Sequence, residues 1–268
     1  MNFDSYIISE TKTSLSMPLA CPPPRKLKHS KGFKRFAFTL AETLITLTII
    51  GVVAALTIPT LMNKYTKHTS VVGLKKAYAQ LQHAMKMIPI TEGCSAGDYD
   101  CAGMFQGEQQ YINGQYVNIP VTNIDGMDFG GNNASKQMYL ISKQFKIQDI
   151  CFRNESCKIK GYTGAPKFKT QDGSIFEGGY STIGVDINGD KGPNKMGRDI
   201  YTLMIANERR NGIEQGTVIP FGSKIFSIWA GNDSFYWKNN NSCSTENVNK
   251  WGNTFCAGRV LEENAMNY

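Results

Sequence analysis

The stretch Phe38–Leu61 reads FTLAETLITLTIIGVVAALTIPTL and contains one charged residue, Glu42. A helix of this length rises about 36 Å, and the hydrocarbon core of a bilayer is about 30 Å thick. A basic tail precedes the stretch, so its N-terminal side should stay in the cytoplasm and the rest of the chain should face outward. The stretch therefore predicts a single membrane-spanning helix.

The basic charge of the chain is concentrated in that tail. Residues 1–37 contain seven Lys or Arg and two acids, whereas the whole chain of 268 residues has a net charge of +7. Residues 38–268 are therefore nearly neutral. A body that binds nucleic acid is usually strongly basic, so the composition disfavours nucleic acid as a partner without excluding it.

The seven cysteines also divide between the tail and the rest of the chain. Cys21 lies in the tail, and six others follow the apolar stretch as three couples of sequence neighbours: Cys94 and Cys101, Cys151 and Cys157, Cys243 and Cys256. An even number on one side of a membrane indicates disulfides in an oxidising compartment. Six cysteines allow 15 connectivities, so pairing within couples is a hypothesis. The rival is zinc, which prefers shorter Cys and His spacings than these.

The helix is predicted to continue beyond the apolar stretch. The apolar residues that recur every three or four positions are Val71, Leu74, Tyr78, Leu81, Met85 and Ile88. This spacing indicates an amphipathic helix, and Pro89 and Gly93 should end it. Its apolar side should pack on another part of the chain. Pro59 and Gly51 should bend or loosen the first half.

After about residue 110, short β-like runs alternate with turns rich in Gly, Asn and Asp. We expect a short helix at 135–146 and an antiparallel sheet. The candidate strands are Ser174–Phe176, Thr182–Ile187, Ile200–Ala206, Thr217–Phe221 and Lys224–Trp229. The fold class is therefore α+β, with a long N-terminal helix packed on an antiparallel sheet.

Glu42 is costly inside a membrane unless it is paired, and such an acid suggests a function. Lys34-Arg-Phe-Ala37 followed by Phe38-Thr-Leu-Ala-Glu42 and an apolar helix resembles the class III signal of type IV prepilins and type II secretion pseudopilins. In that family a membrane peptidase cuts before the Phe and methylates its new amine. The Glu is needed for assembly, where it neutralises the amine of an adjoining subunit.

The resemblance implies cleavage between Ala37 and Phe38, and an assembly role for Glu42. The family usually has Gly at the position of Ala37, so cleavage is expected to be slower here. The leader is long, and Met17 is an alternative start. Pro59 matches a proline at which the family's helix often loosens or breaks.

The implied organisation has four parts. Residues 1–37 are a leader that is removed, and 38–61 form the transmembrane and filament-core helix. Residues 62–89 continue that helix amphipathically, and 90–268 form a secreted β-rich domain. The implied location is the bacterial inner membrane, crossed once, and then a pilus or pseudopilus. The implied partners are prepilin peptidase, other pilin subunits and the membrane.

A dense polar loop, Asp186-Ile-Asn-Gly-Asp-Lys-Gly-Pro-Asn-Lys-Met-Gly-Arg-Asp199, offers oxygen ligands for Ca²⁺. The candidate ligands are Asp186, Asn188, Asp190, Asn194 and Asp199. The loop is not an EF-hand, because Lys191 and Gly197 occupy the places of the required Gly and Glu. It resembles a segment that recurs in pilin-like proteins, and certain pseudopilins bind calcium in a β-region loop. The alternative is a tight hydrogen-bonded turn.

The sequence has no GxSxG, HExxH or Walker motif and only three His, so we expect no enzyme. An aromatic group near two lysines, Lys238 and Lys250, suggests a face for sugar or single-stranded DNA, with packing in a core or an interface as the alternative. Its members are Trp229, Tyr236, Trp237, Trp251 and Phe255.

These observations favour a structural subunit: a major pilin, minor pilin or pseudopilin. Two alternatives stay open. One is a minor or tip pilin that binds DNA, a surface or a partner protein, and the other is an extracytoplasmic domain on a simple membrane anchor.

Overall fold

A computed structural model describes residues 39–105, 109–112, 115–118, 125, 129, 132–152, 157, 159, 165–179, 181–239, 243 and 251–268. The predicted leader and Phe38 lie outside these residues. The chain divides into two compact units, one up to Val52 and one from Val53 to the C-terminus.

The longest element is helix α1, Leu40–Thr91. It contains one segment that is long and apolar enough to cross a membrane, and no residue of that segment is buried. Pro59, where we expected a break or a bend, lies inside α1, which keeps its helical assignment on both sides. A proline removes a single backbone donor, and the adjoining turns keep their own hydrogen bonds.

The later part of α1 carries the predicted apolar stripe, and the stripe is confirmed as a buried surface. Leu74, Leu81 and Ile88 are fully buried, Val71 and Met85 nearly so, and Tyr78 packs against the same core. The helix ends two residues after Pro89, and Gly93 then takes a left-handed conformation with φ +78°. Glycine adopts this conformation without the steric cost that a side chain brings.

The sheet that receives the stripe has six antiparallel strands in chain order. They are β3 Ile147–Cys151, β4 Lys167–Thr170, β5 Ile175–Gly179, β6 Thr182–Asp186, β7 Ile200–Ile205 and β8 Val218–Pro220. A separate hairpin precedes them, with β1 Gln109–Ile112 paired to β2 Gln115–Asn118. The α+β layout of a long N-terminal helix with an antiparallel sheet is therefore as predicted.

Alternate residues of the central strands face α1, as the period of two in a strand requires. Phe176, Val185, Tyr201 and Leu203 belong to the same buried core as the helix stripe. Phe168 of β4 stacks on Phe176 with ring centroids 5.0 Å apart. We call this side of the sheet the inner face and the opposite side the outer face.

Three shorter helices complete the domain: α2 Asn133–Ser142, α3 Lys224–Ala230 and α4 Cys256–Glu263. Helix α2 lies within the predicted helical region except for its first two residues. The predicted strand Lys224–Trp229 is wrong, because this segment is α3. Ser223 caps the helix by accepting the Phe226 N–H at 3.1 Å, and Gly231 ends it in a left-handed conformation.

The six cysteines of the body form three disulfides. The bonds join Cys94 to Cys101, Cys151 to Cys157 and Cys243 to Cys256. These are the couples of sequence neighbours, and each bond closes a short local loop. Sulfurs joined in this way are not thiolate ligands for zinc.

The same substitution at two adjacent valines of α1 tests whether the stripe is packed against the sheet. Val71 is 6% exposed and Val72 is 51% exposed. Val71→Ala should lower the free energy of unfolding by about 1.5 kcal/mol, at about 0.8 kcal/mol per buried methylene. Val72→Ala should change it by less than about 0.5 kcal/mol. Urea unfolding of the full chain in detergent micelles, followed by tryptophan fluorescence, measures both. Equal losses would contradict the packing.

Candidate functional site

The start of α1 is organised by a reciprocal pair of hydrogen bonds. Glu42 Oε2 accepts the Thr39 backbone N–H and the Thr39 hydroxyl, both at 2.9 Å. In return, the Glu42 N–H donates to Thr39 Oγ1 at 3.2 Å. The Thr39 carbonyl also accepts the Thr43 N–H at 3.2 Å, so Thr39 is the N-cap of the helix. This is a capping box, in which each residue satisfies a backbone donor of the other.

The capping box gives Glu42 a local role that the sequence argument missed. The pattern Thr-x-x-Glu before an apolar run is its sequence signal, and it was available at Thr39–Glu42. Only Oε2 is engaged, and no described residue donates to Oε1. The carboxylate is held over the first turn, where the helix dipole favours negative charge, with one oxygen available to a further donor. Ala37 and Phe38, the predicted processing residues, lie outside the described part of the chain.

The polar loop from 187 to 199 joins β6 to β7, and we call it the β6–β7 loop. Asp199 is nearly fully buried at its end. Its Oδ2 accepts the Asn194 N–H at 2.7 Å and the Asn188 side-chain amide at 3.3 Å, and its Oδ1 accepts the Lys195 N–H at 2.6 Å. A buried carboxylate that accepts three N–H groups holds the loop closed from within.

The other predicted calcium ligands are also engaged by the protein. Asp186 Oδ1 accepts the backbone N–H groups of Asn188 and Gly189 at 3.2 and 2.9 Å. Burial raises the pKa of Asp186 to about 6, although these two N–H groups lower it and the charges of Asp199 and Asp190 add to the rise. Asp190 forms an ion pair with Lys169 at 2.7 Å.

Hydrogen bonds therefore link four of the five candidates, Asp186, Asn188, Asn194 and Asp199, and Asp190 is paired with Lys169. The structure brings Asn188, Asn194 and Asp199 together, and it directs Asp190 towards β4. Among the described residues, no three His, Cys, Asp or Glu side chains could hold a metal ion. The hydrogen bonds fit the tight turn that was the alternative. Calcium binding stays a prediction.

The aromatic residues near the C-terminus form two clusters. Tyr236 and Trp237 lie edge to face with centroids 6.0 Å apart, and Glu262 accepts the hydroxyl of one at 3.1 Å and the indole N–H of the other at 2.9 Å. Lys238 and Arg259 lie over the Trp237 ring at 5.3 and 4.9 Å. The hydroxyl of Tyr236 and the indole N–H of Trp237 are therefore already hydrogen-bonded within the domain.

The second cluster surrounds Phe226, and Trp229 and Phe255 pack there. Among the residues that the structure describes, the aromatic side chains therefore form two clusters and not the single face that we predicted. Lys250 and the side chain of Trp251 lie outside them. A role in binding sugar or single-stranded DNA stays a prediction.

Sequence reasoning also missed Glu177 on β5. The side chain is 8% exposed, and its Oε1 has no hydrogen-bond partner among the described residues. Burial raises the pKa of Glu177 to about 7, against the opposing effect of the Lys167 charge on the neighbouring strand. An acid within a run of Ile, Phe and Gly is the only sequence signal that this position offers.

No known protein family, curated protein or solved structure matches this chain. The long apolar helix is compatible with a membrane anchor, but signal sequences and core helices of soluble proteins can be equally long and apolar.

The closed β6–β7 loop leads to a stability prediction. Asp199→Ala should lower the free energy of unfolding by about 2–3 kcal/mol, because three N–H groups of the loop lose their bonds to a buried carboxylate. Asp190→Ala is the matched control in the same loop, and loss of its partly exposed ion pair should cost at most about 1 kcal/mol. Urea unfolding with and without CaCl₂ measures both. A rise in the wild-type midpoint with CaCl₂ that Asp199→Ala abolishes would instead support the calcium site.

Proposed function

We propose that the chain is a structural subunit of a type IV pilus-like or type II secretion filament, as a major pilin, minor pilin or pseudopilin. The observation that carries the proposal is the order of residues around 34–61: a basic run, a small residue at Ala37, Phe38-Thr-Leu-Ala-Glu42, and then an uninterrupted apolar helix. A simple membrane anchor requires the helix and the basic flank. It does not require an acid five residues into the apolar stretch.

The surface of the apolar part of α1 supports a role in assembly. Every Leu, Ile, Val and Met from Leu40 to Met62 is more than half exposed, and Leu40 reaches 80%. Contiguous apolar surface of this extent requires a lipid or protein environment. A membrane provides it before assembly, and the equivalent helices of other subunits provide it within a filament. One surface thus serves both states.

The α+β layout is compatible with a pilin-like fold. In that reading, the amphipathic part of α1 is covered by the sheet of its own chain, and the apolar part is left for other subunits. The matching location is a bacterial inner membrane crossed once, with the disulfide-bonded domain outside the cytoplasm. Three disulfides agree with an oxidising compartment on that side.

Glu42 would then act in two ways. Within its own chain it caps α1 through Oε2. In a filament, the same carboxylate would pair with the methylated amine of Phe38 in a neighbouring subunit. An ion pair in an apolar interior is favourable only when both charges are present and directed at each other. The pair would therefore fix the axial position of each new subunit.

The processing step is tested by mass spectrometry of the N-terminus after co-expression with a prepilin peptidase. The mature chain should begin at N-methylated Phe38. Ala37→Leu should leave the chain uncut, because the position before the cut requires a small residue. Ala41→Leu is the control, since it makes the same change just beyond the cut and should be processed normally. An uncut wild-type chain, or one cut after Leu61, would overturn the proposal.

The assembly role of Glu42 is tested by separating its charge from its capping function. Gln also completes a capping box, so Glu42→Gln should keep the helix start but lose the pair with the amine. We expect both Glu42→Gln and Glu42→Ala to be processed and to form no filaments under electron microscopy. Thr39→Ala removes the hydroxyl of the cap, keeps the charge and should still assemble. Wild-type filaments in Glu42→Gln would limit Glu42 to capping.

A further inference from the structure

The outer face of the sheet contains a cavity of about 400 Å³. Two rows of residues cross its floor. In one row Ile175, Asp186 and Ile200 are cross-strand neighbours, and in the other Glu177, Gly184 and Thr202 are. The β6–β7 loop provides a wall with Gly189, Asp190, Asn194 and Met196. The volume lies in the range of small-molecule sites, about 300–1,000 Å³.

Gly184 keeps the floor of the cavity open. A Cβ built at this position would meet only the Glu177 carbonyl oxygen, at 3.6 Å, which is an ordinary contact. The position would therefore accept a β-branched residue without backbone strain, and such a residue is favoured in strands. The absence of a side chain at Gly184 contributes directly to the space above the strand.

The lining is acidic and apolar. Glu177, Asp186 and Asp190 line the cavity, and none of its described lining residues is Lys, Arg or His. Ile175, Met196 and Ile200 add apolar surface. The ion pair with Lys169 engages Asp190, and two backbone N–H groups engage Asp186. A lining of this kind suits a cation that has an apolar part.

Glu177 indicates where the positive group would bind. Its side chain is more than nine-tenths buried, and Oε1 has no partner among the residues that the structure describes. A buried carboxyl oxygen without a donor is unfavourable, and a ligand N–H would satisfy it. Lys167 on the adjacent strand acts on Glu177 electrostatically but is not among the residues that line the cavity.

The acids of the cavity disfavour a metal ion at this place. Asp190 is paired with Lys169, and Asp186 already accepts two backbone N–H groups. The described residues contain no group of three acids, His or Cys that could hold a metal. The cavity is also larger than one ion requires. An extended organic molecule uses both the acid and the apolar walls.

We propose that this cavity binds a small organic cation, an alkylammonium or alkylguanidinium whose head hydrogen-bonds to Glu177 and whose chain lies against Ile175 and Ile200. The inference is independent of whether the chain assembles into a filament. The outer face of the sheet would thus have a binding role of its own, separate from the role of α1.

The test is isothermal titration calorimetry of the full chain in non-ionic micelles with butylguanidinium chloride, against empty micelles. Butylurea has nearly the same shape without the charge and is the matched control ligand. Butylguanidinium should bind saturably in the millimolar range, and butylurea should bind at least about tenfold more weakly, a difference of about 1.4 kcal/mol.

Variants of the chain test whether the cation binds in this cavity. Glu177→Gln keeps the size of the side chain and removes its charge, and Gly184→Val fills the cavity, so each should weaken binding at least about tenfold. Glu214→Gln removes an exposed acid outside the cavity and should leave binding unchanged. Far-UV circular dichroism checks folding, and Glu177→Gln decides the matter if Gly184→Val does not fold. No saturable binding, equal binding of butylurea, or unchanged binding by Glu177→Gln would overturn the proposal.

Discussion

Burial of the apolar stripe of α1 against the inner face of the sheet is the contact on which the rest of this domain depends. Leu74, Leu81 and Ile88 are fully buried there together with Phe176 and Tyr201. A strand that turns every second side chain towards the helix must turn the others away. The packing of α1 therefore also determines which residues form the outer face. The cavity around Gly184 follows from the same alternation.

The two parts of α1 satisfy the hydrophobic effect in different ways. From about Val71 onward one side of the helix is covered by the chain's own sheet, and the opposite side is exposed. Between Leu40 and Met62 the apolar side chains have no cover within the described chain. Such a helix is stable only where lipid or other proteins cover it. The domain therefore has a buried core of its own, apart from the apolar segment.

Local patterns predicted more of the fold than of the candidate sites. The spacing from Val71 to Ile88 sufficed for the amphipathic helix, and turn residues located β5 to β8. Helix α3 was predicted as a strand because a short apolar run does not distinguish the two, and its caps, Ser223 and Gly231, carried the missing information. Glu177 was not recognised, because its burial depends on strand register, which the local sequence pattern does not give.

The capping box at Glu42 changes how an acid at the start of an apolar helix should be interpreted. An intramembrane carboxylate is usually explained by a partner elsewhere, yet here Thr39 satisfies one oxygen within the chain. Capping alone explains a polar residue at this position, since Gln would serve equally well. It does not explain a charge, whose desolvation is costly. In the filament that we propose, the charge has a second, positive partner: the N-terminal amine that cleavage before Phe38 would create, four residues from Glu42 in sequence.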